Sequence, residues 1–216
     1  MIRIDNVEVF GFEAAIRGAR NPMNSWDRSD SHWAFEDPET AVDPDDLEMV
    51  YTVGENDLDL MKRLVAAGPD HSKFMRMINV TFDISMPLYF AKQLDTYKVG
   101  TVANSCSTMH RIHTKEFTLD DFSHEHLDGL GISFLEDIIK YLNANREHFN
   151  KTKDKDSWWN MIQSLPSSYN QLRTVQLNYA VLRNMYHARK THKLDEWVDF
   201  CKWIETLPLA KELICS

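Results

Sequence analysis

A chain of 216 residues can form one large domain or two small ones and can bury a sizeable core. Hydrophobic residues at 43%, charged residues at 26%, six Trp and eleven Phe describe an ordinary soluble globular protein and exclude long disordered tracts. The formal charge of -9 excludes a broad nucleic-acid footprint, so an anionic ligand must be held by a few focused cations.

The chain opens on alternating apolar positions, Ile2, Ile4, Val7 and Val9, which predict a strand over residues 1–12 and not a basic-then-apolar leader. Residues 13–20 predict a short helix. Residues 21–56 read as an irregular, loop-rich insertion, punctuated by Asn21-Pro22, Asp37-Pro38 and Asp43-Pro44. An amphipathic helix is expected over 57–67, capped by Asn56 or Asp57 and stopped at Gly68. Ile78, Val80, Phe82 and Ile84 then alternate with polar residues as a half-buried strand. Ser85-Met86-Pro87 has the form of a helix start, with the helix running to Tyr97.

Residues 98–130 are polar and loop-like. Ser133 and Glu136 fit a capping box that opens a helix to Phe149, followed by a charged link over 151–156 and a short helix over 157–163. Leu165-Pro166 precedes a long helix expected over 168–189, and another over 193–206. Strands early and helices late make the layout α+β, taken as a single domain over 1–216. Cys106, Cys201 and Cys215 form no Cys-x-x-Cys pair, and no apolar run approaches membrane length. A reducing, cytoplasmic setting is expected, with neither membrane nor nucleic acid as partner.

On a continuous helix, Asn178 and Arg189 would lie within roughly 20° of each other, three turns apart, with Leu182 and Met185 between them. A polar group at each end of an apolar stripe suits a flat ligand, and an arginine there can pair bidentately with phosphate or a pyrimidine carbonyl. The competing reading has Asn178 satisfying backbone and Arg189 snorkelling at the helix end. His110, His113 and His124-Glu125-His126 do not have the His-Glu-x-x-His spacing, so no metal is expected. Gly129-Leu130-Gly131 lacks a third glycine and a preceding strand, and Trp158, Trp159, Trp197 and Trp203 read as core or subunit contacts.

The stretch Met77–Arg111, together with Asn178, Asn184 and Arg189, resembles the core of the flavin-dependent thymidylate synthases. Leu165-Pro166 resembles the Leu-Pro before that family's late helix, and Gly68, His71 and Ser72 its Gly-His-x-Ser/Thr stretch. Ala14-Ala15-Ile16-Arg17 is similar to its early Ala-Ala-Arg. The likeness covers about residues 57–111 and 158–207. It implies a sheet packed against long helices, FAD as cofactor, NADPH and methylenetetrahydrofolate as co-substrates, and a homotetramer that converts dUMP to dTMP. It also implies that Arg189 activates the pyrimidine. His71, Ser72, Lys98, Asn104, Asn178 and Asn184 would hold the cofactor, and Gln93, Thr101, Ser107 and Arg189 the substrate.

The signature Arg-His-Arg is replaced by Thr96-Tyr97-Lys98, and Ala180 stands at an expected arginine. A guanidinium fork and permanent charge are thereby lost, at a cost of about 1.5–3 kcal/mol per charge-assisted contact. His110, Arg111 and Arg76 are candidates for replacement charge, Arg76 standing near a position where the family commonly has an acid. Two other readings therefore stand beside the synthase: a catalytically silent homologue kept for binding or structure, and an enzyme on another pyrimidine nucleotide.

Overall fold

The computed structural model describes residues 1–35 and 49–216. The chain begins with β1 (Arg3–Phe10), as the alternation predicts, and α1 (Phe12–Arg20), close to the helix expected over 13–20. Gly11 joins them at φ 101°, and a Cβ there would meet the Met77 carbonyl oxygen at 2.1 Å, so only glycine fits. Two 3-10 turns follow, then an antiparallel hairpin of β2 (His32–Phe35) and β3 (Met49–Thr52), with Trp33 opposite Tyr51. The segment 21–56 is therefore not wholly irregular. Its Asp37-Pro38 and Asp43-Pro44 breakers lie outside the described residues.

In α2 (Glu55–Ala66) the N-cap is Gly54, and Asp57 lies inside the helix, fully buried, instead of capping it. Gly68, at φ 105°, follows the helix as the stop signal predicts. A 3-10 turn at Lys73–Arg76 leads into β4 (Asn79–Pro87). The strand runs through Ser85 to Pro87 because the buried alternation Val80, Phe82, Ile84, Met86 continues to its end. The helix start expected at Ser85 moves to α3 (Leu88–Leu94), with extended Pro87 as its N-cap.

The polar stretch 98–130 contains β5 (Val102–Ser105). Asp128 caps α4 (Gly129–Thr152), its carboxylate accepting from the Gly131 N–H at 2.8 Å, so the box at Ser133 and Glu136 is not the start. Asp154 caps α5 (Lys155–Ser164), which shortens the charged link to two residues. The helix expected over 168–189 is instead β6 (Asn170–Asn178) followed by α6 (Tyr179–Arg189). Then come α7 (Asp195–Ile204) and the short α8 (Ala210–Leu213). The four-stranded sheet has the order β1-β4-β6-β5.

The chain divides into two compact units. One comprises Met1–Val7, Phe82–Val175 and Lys193–Phe200. It holds most of the sheet, the aromatic core of Phe82, Phe90, Trp197 and Phe200, and a second cluster of Ile112, Phe117, Phe122, Leu135, Leu142 and Met161 under α4 and α5. The other comprises Glu8–Thr81, Gln176–His192 and Cys201–Ser216. In it α1 packs on α2 and on the Lys73–Arg76 turn, α6 packs on the same turn, and α8 packs on α2. Its core is built from Ile16, Met61, Val65, Met75, Ile78, Leu182, Met185 and Leu213. Among the described residues no helix is long and apolar enough to cross a membrane.

Candidate functional site

Asn178 ends β6 at φ -121° and ψ 166°, and its Oδ1 accepts from the Val181 N–H at 3.1 Å. It is the N-cap of α6 and not a member of a helical stripe, so the expected shared face with Arg189 is not formed. From Tyr179 onward the helical period takes over. Tyr179, Leu182, Met185 and Tyr186 are buried, while Ala180, Arg183, Asn184 and His187 form a different face at i, i+3, i+4 and i+7.

That second face lines a cavity of about 550 Å³. Its other wall comes from the end of α2 and the 3-10 turn, with Val65, Gly68, Pro69, Ser72, Met75 and Arg76. Ser72 donates its hydroxyl to the Gly68 carbonyl at 3.1 Å. Arg183 Nη1 donates to the carbonyls of Leu213 and Ile214 at 3.1 and 3.0 Å and lies 3.2 Å from the Ser216 hydroxyl. His187 Nε2 is 3.0 Å from the Ile214 carbonyl, which can only accept, so that nitrogen carries the proton. Burial lowers the Arg183 pKa, but a guanidinium titrates too high for this to remove its charge at neutral pH. The lining contains no Asp or Glu, although acids outnumber bases 33 to 24 in the chain.

The cavity therefore gathers Ser72 and Asn184 of the predicted contacts, together with Arg76, a candidate for replacement charge. His71 is exposed just before Ser72. Arg189, the last residue of α6, is half-buried and is not part of the lining. Arg183 and His187 were missed by the sequence reading. Their signal is the helical wheel itself, which picks them out once α6 begins at Tyr179 instead of eleven residues earlier.

The predicted residues of the other unit are distributed differently. Gln93 Oε1 accepts from Trp197 Nε1 at 2.6 Å, and Thr96 donates to the Gln93 carbonyl at 2.7 Å. Tyr97 meets the buried Trp197 edge-on, with centroids 5.9 Å apart. Lys98 and Thr101 line a smaller cavity of about 130 Å³ with Asp95, Tyr97 and Ala103. Thr101 Oγ1 is buried there without a hydrogen-bond partner. Asn104 is exposed on β5. The Ser107 hydroxyl accepts from the N–H groups of Met109 and His110, at the edge of a third cavity of about 290 Å³ shared with Cys106, Arg111 and Lys115. Among the described residues no three His, Cys, Asp or Glu side chains cluster as metal ligands.

No family model matches the chain, and no curated protein matches it. Solved structures do. A crystal structure of thymidylate synthase X from Helicobacter pylori with FAD and dUMP is 14% identical, over 99% of this chain and 97% of that one, with a TM-score of 0.67. A second structure of the flavin-dependent thymidylate synthase from the same organism, also complexed with FAD and dUMP, is 15% identical over 97% and 98%, with a TM-score of 0.64. Identity this low carries the fold and nothing finer, and the chain has the fold of the flavin-dependent thymidylate synthases.

Proposed function

We propose that the protein is a thymidylate synthase-like flavoenzyme that reductively methylates dUMP to dTMP. The observation that carries this reading is the acid-free cavity on α6, which brings Ser72 and Asn184 together on a fold whose solved neighbours hold FAD and dUMP. The residues present fit such a ligand: cationic and amide donors line one cavity, and the orphaned Thr101 hydroxyl in another lacks the acceptor or donor that a polar ligand could supply.

Bound reduced FAD would supply the hydride, with methylenetetrahydrofolate as the carbon source and NADPH as the reductant. The protein's own residues bind and orient. Asn178, Asn184, His71, Ser72, Lys98 and Asn104 are the proposed cofactor contacts. Asn178 keeps its Nδ2 donors for a ligand, because only its Oδ1 is used in capping. Gln93, Thr101 and Ser107 are the proposed substrate contacts, and Gln93 likewise retains its amide donors. Arg189 is the proposed pyrimidine-activating cation, its permanent charge favouring the anionic form of the ring. A cytoplasmic homotetramer is part of the same proposal.

One observation favours a second reading, a silent homologue. At the position of the lost Arg-His-Arg, Thr96 is tied to the Gln93 carbonyl and Tyr97 packs on Trp197, so two of the three replacements have structural partners. Titrating the purified protein with FAD and then dUMP, while recording the flavin absorbance, separates the two. Bound FAD whose spectrum shifts with dUMP supports the enzyme. Absence of FAD binding at micromolar protein leaves the silent homologue. In an active protein, Arg189→Ala should abolish turnover with the fold intact, and unchanged turnover would remove Arg189 from the mechanism.

A further inference from the structure

We infer that Arg76, Arg183 and His187 form a subsite for the phosphate or pyrophosphate group of an organic phosphate ester in the α6 cavity. The inference deepens the reading of that cavity as a nucleotide-type site and rests on it.

The charge of the lining is the first argument. Two guanidiniums and an imidazole converge from the 3-10 turn and from one face of α6, with no carboxylate among the lining residues. In a chain of net charge -9, a concave, solvent-open surface without acid is where an anion can sit. Two permanent charges match a dianionic phosphate better than a monocarboxylate, and the guanidinium fork matches phosphate oxygens bidentately.

The second argument is preorganisation. Arg183 is held through one nitrogen, Nη1, by the carbonyls of Leu213 and Ile214, and both of those residues are fully buried. His187 is held by the same Ile214 carbonyl. The remaining N–H groups of Arg183 are thus oriented before a ligand arrives, as is His187 Nδ1, which accepts from a protonated phosphate oxygen in the neutral ring and donates to phosphate in the imidazolium, and less side-chain freedom is lost on binding. Arg76 is exposed and enters no ion pair among the described residues.

The third argument is size and polarity. About 550 Å³ is far more than a bare phosphate fills, and the same cavity presents Val65, Pro69, Met75 and Ala180. Apolar wall beside cationic wall suits an ester with an organic body. The flavin cofactor and the nucleotide substrate both carry such a group, and the test distinguishes them.

The test is calorimetric titration of the full chain, wild type and the variants Arg76→Gln, Arg76→Glu and Arg183→Lys, with circular dichroism checking each fold. The probes are inorganic pyrophosphate, FAD against riboflavin, and dUMP against deoxyuridine. Arg76 is exposed, so its variants test the site even if Arg183→Lys fails to fold. We expect Arg76→Gln to weaken pyrophosphate and one phosphorylated ligand about tenfold, Arg76→Glu to weaken them further, and the unphosphorylated partner to be unaffected. Collapse of the FAD–riboflavin gap assigns the subsite to the cofactor; collapse of the dUMP–deoxyuridine gap assigns it to the substrate. Pyrophosphate binding that depends on Arg76 in a protein that takes no FAD would support the subsite and reject the flavin reading. FAD and dUMP binding unchanged in Arg76→Glu would keep the flavin reading and overturn the subsite, as would wild-type protein that binds none of the three anions.

Discussion

Asp57 and Arg20 form a buried ion pair, and neither lies in a candidate ligand contact made by α6. Asp57 is fully buried and Arg20 only 4% exposed. Arg20 Nε donates to Asp57 Oδ1 at 2.5 Å, while Oδ2 accepts from the hydroxyls of Ser29 and Ser31 and from the N–H groups of Asp30 and Ser31. One carboxylate thereby fixes the turn ahead of β2 onto α2. Removing it leaves a guanidinium buried without its counter-charge, so Asp57→Asn should destabilise the fold by about 3–5 kcal/mol in urea denaturation. A loss below about 1 kcal/mol would mean that water reaches Arg20. The same network sets a pH dependence. Burial alone would raise the Asp57 pKa, but the bonds from Ser31, Ser29 and Arg20 outweigh it and hold the folded value below the ordinary 3.8. The unfolded chain binds the proton first, so this contribution is complete above about pH 4 and is lost as pH falls through the folded value. Acid unfolding of the wild type should therefore steepen below pH 4, and in Asp57→Asn that component should be missing.

At the scale of elements, the caps decide where helices begin, and they can be tested one residue at a time. Asp128→Ala should cost about 0.5–2 kcal/mol by removing the acceptor for the Gly131 N–H, whereas Ser133→Ala, inside α4, should change stability little. The reverse ranking would restore the start expected from the Ser133–Glu136 spacing. Apolar periodicity made β1, α2 and most of β4 legible in the sequence, and α1, α5 and α7 also fall within a few residues of their expected bounds. It failed at β6 for a physical reason. The inward face of that strand carries Gln171 and Arg173 beside Val175 and Leu177, which hides the period of two. Those polar groups are satisfied in the fold: Gln171 donates to the Cys106 carbonyl at 2.7 Å, Arg173 donates to Gln171 Oε1 at 3.0 Å and to Asp95 at 2.7 Å. No local pattern announces such long-range partners. The error carried through to the site. Asn178 and Arg189 looked like one helical face, and the face that lines the cavity, through Arg183 and His187, went unread. Leu182→Ala should accordingly cost about 2–5 kcal/mol as a core truncation, and Asn184→Ala almost nothing in stability.

At the scale of the whole molecule, the net charge and the cavity oppose each other. At 0.01 M ionic strength the screening length is about 30 Å, so an approaching phosphate ester senses the whole charge of -9 and is repelled. At 0.15 M the screening length is about 8 Å, and the ester senses chiefly what lies nearest, which in the α6 cavity is Arg76, Arg183 and His187 without a carboxylate in the lining. Most charged-ligand sites bind more slowly as salt rises, because the field that steers the ligand is screened. Here the sign should be inverted at first. The association rate of FAD, followed by flavin fluorescence in stopped flow, should rise between 0.01 and 0.15 M salt. It should fall only when the ionic strength is high enough to screen the cavity itself. The dissociation rate should increase throughout, because the charge-assisted contacts weaken locally. An association rate that falls steadily from the lowest salt would mean that the cationic lining already dominates at long range, and that the acidic surface lies away from the mouth of the cavity. In that case the net charge of the chain would have no bearing on ligand approach.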